Sequence, residues 1–479
     1  MPDQRQRSTR HLVLAVLLAI GSLALAAGPA HAQPLQCGDT VTQDTTLTAD
    51  LLECPGDGLV IGAAGITVDL NGHTISGQII SGSNLQQVGI DNSAGHDDVT
   101  IRNGRVEFFY HGGIHLVRAD RNRVEGVTLD LFHDFGILLE GGSGNRFTGN
   151  SVDRPGPVGI GVYGTSRPSR GNLIAGNTTN SANTANIALR FGTITGTVIE
   201  DNQANESQDE EQWGGSITVS SGGDHVAGTV VRRNRLDTNF GIALLVGEGA
   251  TDTLVERNSL DDSFGRAISS EGDRTVVRAN TITSSFFPGS TGFGVVIDPG
   301  AADNRVEANS IDRPGFVGVD DSGTRTVMTA NVIVGQIFPS EPSTGSIAGI
   351  IVRPEGSGGR IQANVVRRQS PGFAEDVGGG IVIGGDRYTV TGNLVDQIDF
   401  RDGIRVEPGA AGTLLRANVA TRNGDDGIDV DSPATTVTAN LANDNGDLGI
   451  EAVAGVTDGG GNRARGNGNP AQCVGVVCS

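Results

Sequence analysis

The chain has 479 residues, and its 34 basic side chains, all of them Arg, face 55 Asp and Glu, for a net charge of −21. Nucleic acid and anionic membrane surfaces are repelled by such a balance, so no nucleic-acid partner is expected. Glycine is abundant at 73 residues and aromatics make up only 4%, which fits sharp turns around a narrow interior.

Residues 1–32 read as a signal peptide. Arg5, Arg7 and Arg10 precede an apolar run from Leu12 to Ala27, and Ala30-His31-Ala32 is a small-x-small cleavage site. That run is short for a bilayer span, and no later stretch is long enough. The protein is therefore expected to be exported, extracellular or periplasmic, and not membrane-spanning. Cleavage leaves 31 Arg against 54 acidic residues, a net charge of −23.

Residues 33–65 read as an N-terminal cap and residues 456–479 as a C-terminal one. Each end carries a cysteine pair, Cys37 with Cys54 and Cys473 with Cys478. Neither pair has CxxC spacing, so in an oxidising compartment they read as local disulfides rather than a zinc or redox site. Terminal coils of a solenoid lack a stacking neighbour, which is where staples help most.

Residues 66–455 repeat a short phrase. Its first half is Gly-Ile followed by alternating apolar residues, as at Gly113-Ile114, Gly136-Ile137, Gly241-Ile242, Gly403-Ile404 and Gly427-Ile428. Its second half centres on Asn, as at Asn150, Asn202, Asn258, Asn280, Asn418 and Asn440. The closest of these Asn lie 22 residues apart, as from Asn258 to Asn280. A fixed minimum period that tolerates insertions marks a solenoid, and alternation marks strands. The expected fold is all-β: a single-stranded parallel β-helix of about 15 coils, roughly 70 Å long at the strand spacing of sheets. Ile114, Ile137, Ile242, Ile404 and Ile428 are expected to point inward. The Asn positions are expected to take left-handed turns and to bond to one another from coil to coil.

Four coils are longer between Asn and the next Gly: 203–215, 281–293, 332–348 and 365–379. Insertions at one corner project on one face of a solenoid, often the binding face. These hold Trp213, Phe286, Phe287, Phe293, Phe338 and Phe373. They are read either as platforms for sugar rings or as covers for apolar outward residues such as Ala243, Val296, Ile351 and Val382.

Two clusters are suited to chemistry. In the first, Tyr110-His111 lies one coil before His133-Asp134, with His111 aligned on Asp134 and Tyr110 on His133. A His beside a carboxylate and a Tyr suits general acid–base work, so His111, His133 and Asp134 are candidate catalytic residues. In the second, Asp425, Asp426 and Asp429 are followed one coil later by Asp447 and Glu451. Carboxylates clustered at strand ends suit Ca²⁺, and Asp425, Asp426, Asp429 and Asp447 are the candidate ligands. Arg405 precedes Asp429 and Glu451 in one outward column. No nucleotide cofactor is expected.

The repeats, together with Ile66-Thr67-Val68-Asp69-Leu70-Asn71-Gly72-His73-Thr74-Ile75, resemble the right-handed parallel β-helix family of the pectin-lyase-like superfamily. The resemblance covers essentially the whole exported chain. It implies a right-handed coil and the activities of that superfamily, which are polysaccharide lyases, glycosidases, epimerases and non-catalytic proteins. The polygalacturonase motifs Gly-His-Gly and Arg-Ile-Lys and the epimerase motif Asp-Pro-His are absent. Asp425-Asp426-Gly427-Ile428-Asp429 looks like the calcium-binding part of family 9 pectate lyases. Those enzymes use a lysine base, and here Arg401 or Arg405 would have to stand in, which makes Arg405 a fourth catalytic candidate. Few His, Met or internal Cys argue against copper handling. The expected partner is a polysaccharide or other glycan. The expected role is a lyase or glycosidase, or alternatively a non-catalytic structural or glycan-binding protein.

Overall fold

Short strands, most of three to six residues, recur around the coils and pair in parallel with their equivalents one coil away. Along one side, Phe135–Glu140 pairs with Gly112–Val117 on one edge and with Val158–Arg170 on the other. This long sheet continues to Ile450–Ala452 and Cys473–Val474. The other two sides are ladders such as Arg146–Thr148 on Leu173–Ala175 and Ser151–Asp153 on Thr178–Asn180. The computed structural model describes residues 34–78, 86–207, 215–220, 222–263, 265–283, 292–335, 347–369, 378–399 and 401–479. Residues 35–479 form one compact unit, a right-handed parallel β-helix of roughly 16 turns. The flanks 39–61 and 457–474 already pair as coil strands, and the disulfides Cys37–Cys54 and Cys473–Cys478 close at the two ends.

Inside the coil, equivalent side chains stack on one another. Ile114, Ile137, Ile160, Ile187 and Ile217 form one column, and Ile404, Ile428 and Ile450 continue it, all fully buried. Ile242 departs from the expectation. It pairs with Gly215 and Arg266, while Leu244 fills the core place between Ile217 and Ile268. Ala243, expected outward, lies in the core. The reason is register: here Ala243 takes the small-residue place that Gly136 or Gly403 takes elsewhere, so the Gly241-Ile242 pair is displaced by two residues.

At the corner between the two shorter ladders runs a file of buried asparagines. The amide nitrogen of Asn150 donates to Asn177 Oδ1 at 3.0 Å and to the Val124 carbonyl at 2.9 Å, and its own backbone N–H also donates to Asn177 Oδ1. The pattern repeats from Asn177 through Asn202, Asn234, Asn258, Asn280 and Asn309 to Asn331. It runs on through Asn364, Asn393, Asn418 and Asn440 to Asn462. The left-handed turn, however, falls on the residue before each Asn: Asp201, Ala279, Ala308 and Ala439 have φ of 52–55°. The Asn itself sits between two strands and uses both ends of its amide. Losing such a pair costs about 1–3 kcal/mol, because a buried donor is left unpaired.

A carboxyl group inside the helix breaks the apolar pattern. Asp321 is fully buried and accepts hydrogen bonds from Tyr388 Oη at 2.7 Å, Thr326 Oγ1 at 2.8 Å and the Gly323 N–H at 3.0 Å. Burial pushes its pKa up to about 6. Tyr388 reaches it across the intervening coil, over Gly356 and Gly359, where a Cβ would lie 3.0 Å and 2.4 Å from the Tyr388 side chain.

The four insertions lie largely outside the described residues, and Trp213, Phe286, Phe287, Phe338 and Phe373 with them. Their described flanks share one corner. The chain leaves Gln203–Asn205, Thr281–Thr283, Val332–Val334 and Val365–Gln369 and re-enters the long sheet at Gly215–Val219, Phe293–Ile297, Ile347–Val352 and Gly378–Ile383. Next to that corner the outer face of the long sheet is apolar and buried. Val317, Ala348, Ile351 and Val382 form a cluster outside the main core, and Phe293 packs against it.

Candidate functional site

The outer column of the long sheet changes character at residue 405. Arg405, Asp429 and Glu451 stand on successive strands, after the buried Ile351 and Val382. Two positions before each inward Ile, the chain places Asp402 and Asp426 at the strand starts. Their backbone and side chains interlock: the Asp426 N–H donates to Asp402 Oδ1 at 3.1 Å, and the Leu448 N–H to Asp426 Oδ1 at 2.7 Å. Asp402, Asp425 and Asp426 bring carboxylate oxygens within 4.8 Å of one another, and so do Asp426, Asp429 and Glu451. Either group could hold a divalent cation.

Crowding and burial set the protonation here. Asp402 and Asp426 are 5% and 4% exposed. Burial pushes Asp426 up to about 8, and its contact with Glu451 adds to the rise against the Leu448 N–H. Burial raises Asp402 to about 6, with the Asp426 N–H pulling the other way. Asp429 rises to about 7 through burial and the charges of Asp402 and Asp431. Arg405 and Arg401 face them, and the charge of each works against the rise at Asp402. Arg405 lies 3.1 Å from Asp431, 3.2 Å from Glu407, 3.8 Å from Asp402 and 3.9 Å from Asp429. Desolvation works against its charge, yet these carboxylates outweigh it and hold the guanidinium above its ordinary range. Such an Arg serves as a counter-charge and is a poor base.

Asp425 and Asp447 stack as the sequence implied, the Asp447 N–H donating to the Asp425 carbonyl at 3.1 Å. Asp447 nevertheless belongs to neither carboxylate group. Asp402 and Glu451 take part where it does not. Asp402 was missed although a signal existed: Asp402-Gly403-Ile404 and Asp426-Gly427-Ile428 are the same tripeptide one coil apart.

The other cluster lies near the opposite end of the same sheet. Asp134 is held by two histidines, His111 Nδ1 at 2.6 Å and His133 Nδ1 at 2.8 Å. Tyr110 stacks on His133 with ring centroids 4.6 Å apart. His111 stands edge-on to Phe135 at 4.8 Å, and His115 lies 6.0 Å from His111. Burial lowers the His115 pKa, favouring the neutral ring. Asp130 on the neighbouring strand pairs with Arg105 and Arg154.

Residues 57–190 match the family described as a right handed beta helix region. The protein is a right-handed parallel β-helix. Solved structures similar to this β-helix include a tailspike protein of E. coli bacteriophage HK620 in complex with pentasaccharide, at 12% identity and TM-score 0.44, covering 92% of this chain and 73% of that one. Another is DFA-IIIase from Arthrobacter chlorophenolicus A6, at 13% identity and TM-score 0.40, covering 66% and 71%. No curated protein matches the chain. Among the described residues of the β-helix, no helix is long and apolar enough to cross a membrane.

Among the cavities along the described residues are two with charged walls. One, of about 440 Å³, adjoins the acidic cleft and is lined by Ile351, Val382, Arg353, Pro354, Asp386 and Glu407. The other, of about 610 Å³, lies farther back and includes Glu248, Glu271, Asp273 and Asp298. The first combines an apolar floor with charged walls beside Arg405.

Proposed function

We propose that this is an exported β-helix protein that binds a polysaccharide on the outer face of its long sheet and hydrolyses a glycosidic linkage at the acidic cleft. The observation that supports the reading is the spread of protonation between neighbouring carboxylates, with Asp426 near 8 and Asp402 near 6. Burial favours the proton on Asp426 more than on Asp402, the division of labour that an acid and its ionised partner need. In this reading Asp426 gives its proton to the glycosidic oxygen as the anomeric C–O bond breaks. Asp402, whose oxygen comes within 4.8 Å of that of Asp426 and leaves no room for a water between them, bonds to the anomeric carbon, and a water that gives its proton to Asp426 then cleaves this glycosyl ester. Arg405 sets its positive charge beside Asp429 and Asp431. β-Elimination is less well supported, since it would ask Arg405 to act as a base while carboxylates surround it. The signal-like segment and the terminal disulfides support export. The acidic balance speaks against nucleic acid.

The test is release of reducing ends from a panel of neutral and uronate-containing polysaccharides, with absorbance at 235 nm followed in parallel. Reducing ends without unsaturation support hydrolysis, and unsaturated products replace it with elimination. A second reading has its own observation. The two carboxylate groups also suit Ca²⁺, and a bound cation would make this end a non-catalytic glycan-binding or structural site. No cleavage of any substrate, together with a calcium-dependent unfolding midpoint, would favour it.

A further inference from the structure

The outer face of the long sheet carries a second set of side chains that the acidic cleft does not use. Tyr163 stands on the strand beside Glu140 and is followed one coil later by Arg190. Between Leu138 and Tyr163 the sheet is bare. A Cβ on Gly161 would lie 2.9 Å from Leu138 Cδ1 and 3.2 Å from Tyr163 Cε1, so the missing side chain is what lets the Tyr163 ring lie down on the strands.

Phe191 is then placed by a β-bulge. Tyr163 pairs with Arg190 and Gly164 with Gly192, which leaves Phe191 as the extra residue. Its φ is 60° and that of Gly192 is 110°. A Cβ on Gly164 would meet the Thr193 nitrogen at 2.6 Å, so the two backbones touch here and only glycine fits. Among the described residues, Phe108, Leu131 and Phe191 are large apolar side chains held in the left-handed region. Of these only Phe191 is exposed, at 47%. Its ring stands edge-on to Tyr163 with centroids 4.9 Å apart. A disfavoured backbone conformation that presents an aromatic ring to solvent gains nothing for the core, and such strain clusters at ligand contacts.

Polar groups rim the rings. Glu140 lies next to Tyr163 on one side and 3.9 Å from His115 Nε2 on the other. His111 gives its Nδ1 to Asp134, and its Nε2 has no hydrogen-bond partner among the described residues. From His111 to Phe191 the face covers three ladder steps, roughly 14 Å.

We propose that this face, strands Gly112–Val117 to Ala185–Thr195, is a glycan-binding surface. An oligosaccharide of neutral pyranoses sets the C–H face of one ring on Phe191 and Tyr163 and directs hydroxyls to Glu140 and His111. An amphipathic ring with an apolar face and a hydroxyl edge is the ligand that matches apolar rings bordered by a carboxylate and an imidazole. The inference rests on the glycan reading above but places binding away from the acidic cleft.

The experiment is affinity electrophoresis of the full chain through gels cast with dextran, mixed-linkage β-glucan, galactomannan or polygalacturonate. Thermal unfolding is measured on the same samples. At least one neutral polysaccharide is expected to retard the wild type. Phe191→Gly is expected to weaken that retardation on the order of tenfold while leaving the unfolding midpoint unchanged or higher, because glycine relieves the left-handed strain. Asp426→Asn is expected to remain retarded. No retardation by any neutral polysaccharide overturns the proposal. So does full retardation of Phe191→Gly, or a drop in its midpoint of several degrees, which would make Phe191 a packing residue. If the wild type cleaves nothing yet shows Phe191-dependent retardation, this proposal stands and hydrolysis at the acidic cleft falls.

Discussion

The two ends of the long sheet share one interior and differ outside. Ile114 and Ile137 near the N-terminal end, and Ile404 and Ile428 near the C-terminal end, fill the same core column. The file of asparagines runs past both. On the outer face, one end presents Tyr110, His111, His133, Tyr163 and Phe191, and the other Asp402, Asp426, Asp429 and Glu451. Between them the same columns are buried, apolar at Val317, Ile351 and Val382 and polar at Thr218, Ser269 and Asp320. A solenoid thus separates what holds it together from what it does. The inward columns repeat because each coil must stack on the next, and the outward columns are free to vary.

The sharpest test of that division is Asp426→Asn, which removes the proposed acid and is expected to reduce hydrolysis by about 10²- to 10⁴-fold with the fold intact. Measuring reducing-end release for this variant breaks the comparison if activity survives it and is lost instead in His111→Gln. Next in size, Cys37→Ser opens the N-terminal staple, whose cysteines are 17 residues apart. It is expected to cost about 3 kcal/mol in denaturant unfolding on the loop-entropy account. A negligible loss would mean that the cap stacks well enough without it.

A smaller effect tests the shared interior. Asn150→Ala and Asn418→Ala break the file near opposite ends, and each is expected to destabilise by about 1–3 kcal/mol. If one is silent, the two ends are not built alike.

The ends should also differ in their response to pH. Asp402, Asp426 and Asp429 have folded pKa values of about 6, 8 and 7 against an ordinary 3.8. The native state therefore holds protons that the unfolded chain has released. Their contribution is complete below pH 3.8 and is lost as pH rises through about 6 to 8. The unfolding midpoint is expected to fall across that window, and Asp426→Asn to flatten the fall. The smallest effect is that of calcium. Because a cation must displace those protons, millimolar Ca²⁺ against EDTA is expected to raise the midpoint at pH 8 and to do little at pH 5. Asp425→Ala should remove the shift. No shift at pH 8 sinks the cation reading and leaves the proton as the occupant of the cleft.

The fold was legible because the inward columns are periodic, and period is what a sequence displays best. The legibility failed where a coil replaced its glycine: Ala243 stands in the place of Gly, and counting from Gly241 put Ile242 in the core in error. The carboxylate cleft was half legible. Asp425, Asp426 and Asp429 were visible as a run, but Asp402 required alignment two residues before the Ile, and Asp447 shared an offset with Asp425 without sharing its oxygens. Phe191 left no trace in the period. A bulge is a local change of register, set by the contact of Gly164 with Gly192, and repeat counting averages over it.

The file of asparagines has a further consequence. Every rung is chemically the same, so a nascent helix displaced by one whole coil would still find an Asn at nearly every rung and an apolar residue at nearly every inward place. Uniform ladders reward stacking without counting it. The hydrogen bond from Tyr388 to Asp321, reaching across an intervening coil, is a contact that a slipped alignment cannot remake. There the buried carboxylate would lose its phenol, and the phenol would find only aliphatic side chains. One mismatched pair in an otherwise monotonous interior gives the assembly an address, fixing which coil lies where and hence which outward residues come to stand side by side.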